Sequence, residues 1–154
     1  MPRYIRQRDR HSCGPICLLN ICKFQGKKVT YRDDLLAWKR FCNCGSYYDG
    51  TGTKNGTTVR AFHRVCRELG GRRMRSPNMR KMHQKLEEGF ALAIQVRYTR
   101  DNGHHFLIDR TRRNAFRCIN LYRGETAGWT TKKRFYREQR KHTLAFRVWV
   151  IPKE

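Results

Sequence analysis

The fold is decided by residues 7–24, QRDRHSCGPICLLNICKF, which predict a buried helix that begins at a cysteine. Apolar side chains after Cys13 cover most of a helix surface, and Pro15 falls in the first turn, where proline is tolerated. A thiol at a helix start lies near unpaired backbone N–H groups and the positive end of the macrodipole, which both favour a thiolate. Cys13 is therefore a candidate nucleophile at the start of a central helix.

Further helices are predicted in the first half of the chain. Thr30 and Asp33 resemble a capping box that opens a second helix. Ser76 and Pro77 resemble an N-cap followed by proline at the first helical position. Apolar residues at three- and four-residue spacing continue these helices, and a segment rich in glycine, tyrosine and threonine predicts a loop. The predicted elements are helices over 30–41, 57–69 and 77–86 and a loop over 44–56.

The second half of the chain changes to the two-residue period of β-strands. Asp-Asn-Gly, Arg-Arg-Asn and Arg-Gly-Glu turn patterns lie between runs of β-forming residues. Helices followed by strands indicate an α+β fold in which the helical half packs on an antiparallel sheet. With no repeat or linker, residues 1–154 are expected to form one domain. The predicted strands cover 90–98, 104–109, 115–121 and 144–151.

The charge of the chain is extreme. Its 35 Lys and Arg residues against 12 Asp and Glu residues give a formal net charge of +23, which attracts polyanions. Three basic segments favour sequence-independent contact with nucleic acid, although no recognised nucleic-acid-binding module accompanies them and a solvated charged face is the alternative. The candidate nucleic-acid-binding residues are Arg72, Arg73 and Arg75, then Arg110, Arg112 and Arg113, then Lys132, Lys133, Arg134 and Arg137.

Cysteine usage indicates a reducing compartment. Seven cysteines are an odd number without an even framework, so they cannot all pair within one chain. The first ten residues lack the apolar stretch of a secretory signal, and no apolar run is long enough to span a membrane. Cys42 and Cys44 could begin a metal site, but no second ligand pair follows at zinc-finger spacing. We expect a cytoplasmic or virion-associated protein that needs no metal or cofactor.

The chain contains candidates for the groups that a cysteine nucleophile needs. His105, on the same strand face as Leu107, is the candidate base, and Asn120 at the end of the next strand is positioned to orient its imidazole. Gln7 can direct its side-chain amide to the oxyanion. His104 is the competing base, on the opposite strand face. Asp109 could orient a histidine of the same strand, but it lies too far along the strand to reach it comfortably.

Three motifs carry a resemblance to a known family. They are Q-x₅-C-G-P-I-C-L-L-N in residues 7–20, G-H-H-F-L-I-D in 103–109 and R-C-I-N-L-Y in 117–122. In these motifs the chain resembles papain-like cysteine peptidases, and among them the bacteriocin-processing peptidases that cut after double-glycine leaders. The leader peptidases usually have Asp-Pro where this chain has Asn120 and Leu121.

The resemblance implies a standalone papain-like cysteine peptidase with Cys13 as nucleophile, His105 as base, Asn120 as orienting residue and Gln7 as oxyanion donor. It implies a peptide or protein substrate, cut after Gly-Gly in the leader peptidases. Combined with the charge, it leads to the hypothesis of a maturation or cargo protease of a virus or phage. Two alternatives stay open: a peptidase-like particle component that binds nucleic acid without turnover, and an isopeptidase that cuts ubiquitin-like tails.

Overall fold

The computed structural model describes residues 2–8, 12–34, 59–100, 102–122 and 124–154. Residues 31–34 are also helical, in addition to the elements named next. The named elements, in chain order, are α1 (Cys13–Phe24), α2 (Val59–Glu68), β1 (Arg72–Arg73), α3 (Met79–Glu87), β2 (Ala91–Thr99), β3 (Asn102–Thr111), β4 (Ala115–Ile119), β5 (Ala127–Thr131), α4 (Lys132–Phe135), a π-helical turn (Tyr136–Arg140) and β6 (Ala145–Ile151).

The strands form one antiparallel sheet in the order β1-β6-β2-β3-β4-β5. The α+β class and the antiparallel sheet are confirmed, and the four predicted strands correspond to β2, β3, β4 and β6 within about two residues. The sequence did not predict β1 or β5. β1 has only two residues, and β5 is an edge strand with a single buried residue, Thr130, so neither has a strong apolar alternation.

Helices cover both faces of the sheet, an arrangement that the sequence did not predict. Leu18 of α1 and Phe62 of α2 pack with Leu107 and other sheet residues on the first face. Met82 of α3 and Phe135 of α4 pack on the second face. Because both faces are covered, the first six residues of β2 are all buried, which explains why that strand is almost continuously apolar.

α1 is the central buried helix that the sequence predicts. Every residue from Cys13 to Phe24 except Lys23 is buried. The helix lies mainly across β3, the strand that carries His105. This packing brings the first turn of α1 against the middle of the sheet.

One predicted helix start is confirmed with a different capping bond, since residues 31–34 are helical directly after Thr30, and another was wrong. The N–H of Thr30 donates to the carboxylate of Asp34, not of Asp33. The fourth predicted helix begins after Asn78, whose side chain accepts from the N–H of Lys81 at 2.8 Å. Ser76 instead has a φ of 47°, a left-handed conformation that cannot start a helix.

Parts of the sequence-based prediction lie outside the described residues. These are the second helix beyond residue 34, the loop over 44–56, the start of the third helix before Val59, and the Cys42 and Cys44 pair. Within the described ranges, no helix has both the length and the apolar character required to cross a membrane.

Candidate active site

Cys13 is the first residue of α1 and lies at its N-terminal end, as predicted. Ser12 precedes it, and the carbonyl of Ser12 accepts from the N–H of Ile16 at 2.8 Å, which closes the first helical turn. The cysteine is 9% exposed. The thiol is thus held by a rigid, buried helix at the end where the macrodipole is positive.

His105 faces this thiol from β3. Its Nδ1 lies 3.5 Å from Cys13 Sγ, a distance within the hydrogen-bonding range of sulfur. The imidazole packs against the ring of Phe62, with a centroid separation of 4.3 Å, and is 6% exposed. The prediction that His105 shares a face with Leu107 and points at the start of α1 is confirmed.

Burial determines the protonation state of His105. Burial is the main cause, and together with the neighbouring His104 and His63 it lowers the pKa of the imidazole to about 3. The ring is therefore neutral at neutral pH. For Nδ1 to accept the thiol proton, the ring hydrogen must be on Nε2.

Asn120 does not contact His105 in the way that the sequence analysis predicted. Its Oδ1 accepts from the N–H of Gln7 at 2.9 Å, and its Nδ2 donates to the carbonyl of Ile5 at 2.7 Å. His105 Nε2 is buried and has no hydrogen-bond partner within the described part of the chain. Asn120 has a φ of 59°, so it turns out of β4 and directs its amide to the N-terminal segment.

Gln95 is the polar residue beside His105 that the sequence analysis missed. The two residues are directly paired across β2 and β3, so their side chains lie on the same face. Gln95 is 4% exposed, and its Oε1 accepts from Arg147 Nη1 at 2.9 Å. A glutamine within the buried run ALAIQVRY was the pattern that could have revealed it.

The N-terminal segment, residues 2–8, is tied to the site by buried amides. Asn20 of α1 accepts from the N–H of Ile5 at 2.8 Å and donates to its carbonyl at 3.0 Å. Asn120 holds the same carbonyl and the main chain of Gln7. Together these bonds place Gln7 between the end of β4 and the helix that begins at Cys13.

The same segment is anchored a second time through Asp109. Tyr4 donates from its hydroxyl to Asp109 Oδ2 at 2.9 Å. Arg117 binds the same carboxylate through both Nε and Nη2. Asp109 is thus engaged away from the histidines, in agreement with its exclusion as the orienting group. Asn20 and Tyr4 were not singled out from the sequence, because their contacts join residues far apart in the chain.

His104 has a structural contact instead of a place beside the thiol. It projects from the opposite face of β3, as predicted, and its ring stacks on Phe106. The prediction of a solvated side chain was wrong, because the ring is half-buried and its Nε2 donates to the carbonyl of Asn120 at 2.7 Å. Burial lowers the pKa of His104.

The basic segments separate into two areas. Arg72 and Arg73 form β1 at one edge of the sheet, with Arg75 just beyond it. The other two segments meet near the opposite edge, where Lys132 Nζ donates to the carbonyl of Arg113 at 3.1 Å. The residues in this second area are Arg110, Arg112, Arg113, Lys132, Lys133, Arg134 and Arg137.

Some cations of the second area have protein partners. Arg112 lies 3.7 Å from the ring centroid of Trp129, and Arg134 pairs with Glu138. Lys132 contacts His83 Nδ1 at 2.6 Å. Lys133 and Arg137 are exposed. The structure therefore brings two of the three segments together and leaves the first apart from them.

The described cysteines are free thiols, namely Cys13, Cys17, Cys22, Cys66 and Cys118. Burial raises the pKa of Cys17, Cys22 and Cys118. Among the described residues, no cluster of three or more His, Cys, Asp or Glu side chains has a geometry that could hold a metal ion.

Two solved structures are similar to this chain over nearly its whole length. The peptidase domain of Streptococcus ComA, a bi-functional ABC transporter involved in a quorum-sensing pathway, matches with a TM-score of 0.69 and 13% identity, over 99% of this chain and 100% of that one. The peptidase domain of Streptococcus mutans ComA matches with a TM-score of 0.57 and 13% identity, over 97% and 98%. The chain has a papain-like peptidase fold.

The papain-like prediction of the fold is therefore confirmed over the whole chain. No protein-family model matches the sequence, and no curated protein does. A structural likeness at 13% identity establishes the fold alone. The roles of individual residues in this papain-like fold rest on their own geometry.

Proposed function

We propose that this chain is a cysteine peptidase in which Cys13 and His105 are the nucleophile and the base. The observation that supports this most strongly is the 3.5 Å approach of His105 Nδ1 to Cys13 Sγ at the start of a buried helix. The residues come from opposite halves of the chain, and their meeting satisfies the geometric requirement for an activated nucleophile. The similarity to two peptidase domains agrees with this chemistry.

The proposed reaction starts from the Cys13 thiol and the neutral imidazole of His105. As Sγ attacks the carbonyl carbon of the scissile bond, its proton moves to Nδ1 of His105. The C–N bond then breaks, the imidazolium gives this proton to the leaving amine, and a thioester remains on Cys13. Water attacks the thioester, His105 takes its proton, and the acid product leaves as the thiol is restored.

The tetrahedral intermediate requires donors for its oxyanion. Backbone N–H groups at the positive end of α1 are suited to this role. We assign the side-chain amide of Gln7 as the second donor, because Asn20 and Asn120 bring the main chain of this segment to the site. Asn120 would then assist catalysis by positioning Gln7.

His105 also needs an acceptor for its Nε2 hydrogen. Two amides are candidates: Asn120, which the sequence predicted, and Gln95, which is directly opposite His105. The fixed bonds of Asn120 to Ile5 and Gln7 favour Gln95, whose oxygen would reach Nε2 by rotation of the side chain. A buried N–H without an acceptor costs about 1–3 kcal/mol, which gives this rotation a driving force.

The substrate is proposed from the resemblance to leader peptidases. A peptide or protein with Gly-Gly before the scissile bond is the first candidate, and a ubiquitin-like tail ending in Gly-Gly is the second. Selection for glycine at both positions would require a cleft too narrow for side chains. Both candidates use the same Cys13 chemistry, so they differ in substrate and not in mechanism.

The setting beside nucleic acid is a separate proposal. The net charge of +23 and the exposed Arg and Lys residues of the second basic area support affinity for polyanions. A cytoplasmic or virion-associated protease of a virus or phage would work beside nucleic acid, which such a basic surface could bind. A particle component that binds nucleic acid without turnover has the same charge, and only the Cys13–His105 contact argues against it.

The test uses two quenched fluorescent peptides that differ only in Gly-Gly or Ala-Ala before the central bond. We expect cleavage of the Gly-Gly peptide by the wild-type chain, with loss of about a hundredfold or more in Cys13→Ala and His105→Ala. Cys118→Ala removes a thiol outside the site and should retain activity. Equal hydrolysis by wild type and Cys13→Ala would reject the peptidase. Cleavage of both peptides at the same rate would reject the Gly-Gly preference alone.

A further inference from the structure

A groove along one edge of the sheet combines three arginines with an apolar lining. It has a volume of about 660 Å³ and is defined here as the edge groove. The backbone that borders it belongs to β6 and to the segment after β1. Its lining residues are Arg73, Arg75 and Arg147 with Met74, Pro77 and Phe146.

The groove exists because β1 covers only part of β6. β1 pairs with Trp149 and Val150, and the N–H of Met74 adds a bond of 2.9 Å to the carbonyl of Val148. The chain then leaves the edge at Ser76, where φ is 47°. On its other side β6 pairs with β2 along its whole length. Among the described residues, no strand therefore pairs with this side of the first half of β6.

This side of β6 presents backbone hydrogen-bonding groups to the groove. In an antiparallel strand, alternate residues direct both N–H and C=O to the same side. Val148 directs its carbonyl to Met74, so Phe146, two residues earlier, points its N–H and C=O to that side as well. Neither group of Phe146 has a partner in the part of the chain that the structure describes.

The arginines of this edge have no acidic partner in the part of the chain that the structure describes. Within the described ranges, none of Arg73, Arg75 and Arg147 forms an ion pair, and Arg147 bonds only to the neutral Gln95. The pKa of Arg147 is lowered by burial and then by Arg73 and Arg97. Crowded guanidinium groups without carboxylates constitute a site for negatively charged side chains.

We infer that the edge groove binds an extended, acidic peptide segment that adds a short strand to β6 and sets carboxylates against Arg73, Arg75 and Arg147. The unpaired N–H and C=O of Phe146 favour a peptide, since strand addition pairs these groups with another main chain. A nucleic acid backbone has phosphates for the arginines but no matching N–H and C=O. The apolar side chains of the groove suit the alternate residues of the same peptide.

The position of the groove points to the protein substrate as the source of this peptide. Arg147, Gln95 and His105 are paired in one row across β6, β2 and β3. With the added strand outside β6, three strand spacings separate the peptide from His105, or about 14 Å, which an extended chain covers in about four residues. The acidic segment would then lie a few residues from the scissile bond. This identity of the peptide rests on the proposed peptidase function, whereas the binding site does not.

The test measures binding in a Cys13→Ala background, so turnover is not required. The probe is a fluorescein-labelled peptide of alternating Glu and Val, compared with the same peptide carrying Gln for Glu, in fluorescence anisotropy at low salt. Arg73→Gln with Arg75→Gln should weaken binding about tenfold or more. Lys28→Gln with Arg100→Gln removes the same two charges from exposed positions elsewhere and should change the dissociation constant by less than about twofold.

A second probe tests strand addition. The same acidic peptide, N-methylated on alternate residues, cannot make the backbone bonds and should lose most of its affinity. Equal weakening by the two double variants, or full binding of the methylated peptide, would overturn the inference. It would also be overturned if the groove variants released single-stranded DNA but kept the peptide. Peptide binding with no cleavage of any substrate would reject the peptidase and leave the groove standing.

Discussion

At the scale of single residues, the proposed activation of the Cys13 thiol depends on His105 and its neighbours. The imidazole is buried between Cys13 and Phe62, and burial keeps it neutral. A neutral imidazole has a free ring nitrogen that can take the thiol proton, but only when the ring is held in one tautomer. The amide that holds Nε2 is therefore the most informative neighbour to identify.

Replacing the two candidate amides separately should identify it. We expect Gln95→Ala to lower kcat by about ten- to a hundredfold with little change in KM, because it would leave His105 without an acceptor. Asn120→Ala should also lower the free energy of unfolding, because it releases Ile5 and Gln7. Urea unfolding and steady-state kinetics on a cleavable peptide measure both effects. Restoration of kcat in Gln95→Asn, but not in Gln95→Leu, would distinguish positioning from packing.

The opposite pattern would contradict this assignment. Full kcat in Gln95→Ala, together with a shift of the acid limb of the pH profile in Asn120→Asp, would place Asn120 on the imidazole during catalysis. The sequence prediction of a Cys13, His105 and Asn120 arrangement would then be restored in the working enzyme.

The buried histidines predict acid sensitivity. Burial lowers the pKa of His105 to about 3 and that of His63 to about 4, while both return to about 6.5 in the unfolded chain. As pH falls from about 6.5 toward these values, only the unfolded chain takes up the protons, so the free energy of unfolding decreases. Above about pH 6.5 both histidines are neutral in the folded and the unfolded chain, so they cause no change of stability with pH.

Urea midpoints at about pH 7.5 and about pH 4.5 measure this effect. His63→Gln and His105→Gln should each reduce the loss of stability between the two pH values. His142→Gln, which changes an exposed histidine, is the control and should keep the wild-type loss. An equal loss in all four proteins would show that other groups determine the acid sensitivity.

At the scale of elements, the N-terminal segment depends on α1 for its position. Asn20, two turns after Cys13, bonds to both main-chain groups of Ile5 and is 1% exposed. We expect Asn20→Ala to lower the free energy of unfolding by about 2 kcal/mol, because it leaves a partly buried main-chain N–H without an acceptor. It should also lower kcat by displacing Gln7.

Asn114→Ala is a matched control, because this asparagine is exposed in the turn before β4. Its expected change in stability is below about 0.5 kcal/mol, measured by the same urea titration. If Asn20→Ala were as stable and as active as Asn114→Ala, the segment would not need α1 to hold it.

Elements with a strong local pattern could be predicted from the sequence, and weakly patterned ones could not. α1 was predictable because apolar residues surround it, and β2 because it is buried on both faces. β5 was missed because four of its five residues are not buried. The start of α3 was predicted too early in the chain, because Ser76-Pro77 resembles a cap, whereas Asn78 makes the capping bond.

At the scale of the whole molecule, the nucleophile and the base could be predicted from local patterns, whereas the residues that surround them in the site could not. Cys13 and His105 could be predicted because each is marked by its own element, a helix start and a strand face. The pairing of Gln95 with His105 and the bond from Asn120 to Gln7 depend on register and on one positive φ, and neither has a local pattern. The sheet order, which separates the basic segments, is likewise a property of the complete fold.

The reactivity of Cys13 toward iodoacetamide tests the central claim most directly, with Cys118 as an internal reference. Burial raises the pKa of the Cys118 thiol, which makes it a slow reference. Near neutral pH, mass spectrometry should find Cys13 alkylated about tenfold or more faster than Cys118, and this difference should disappear in His105→Ala but persist in His104→Ala. Equal labelling of the two cysteines in the wild-type chain, or unchanged labelling of Cys13 in His105→Ala, would contradict an activated Cys13–His105 pair.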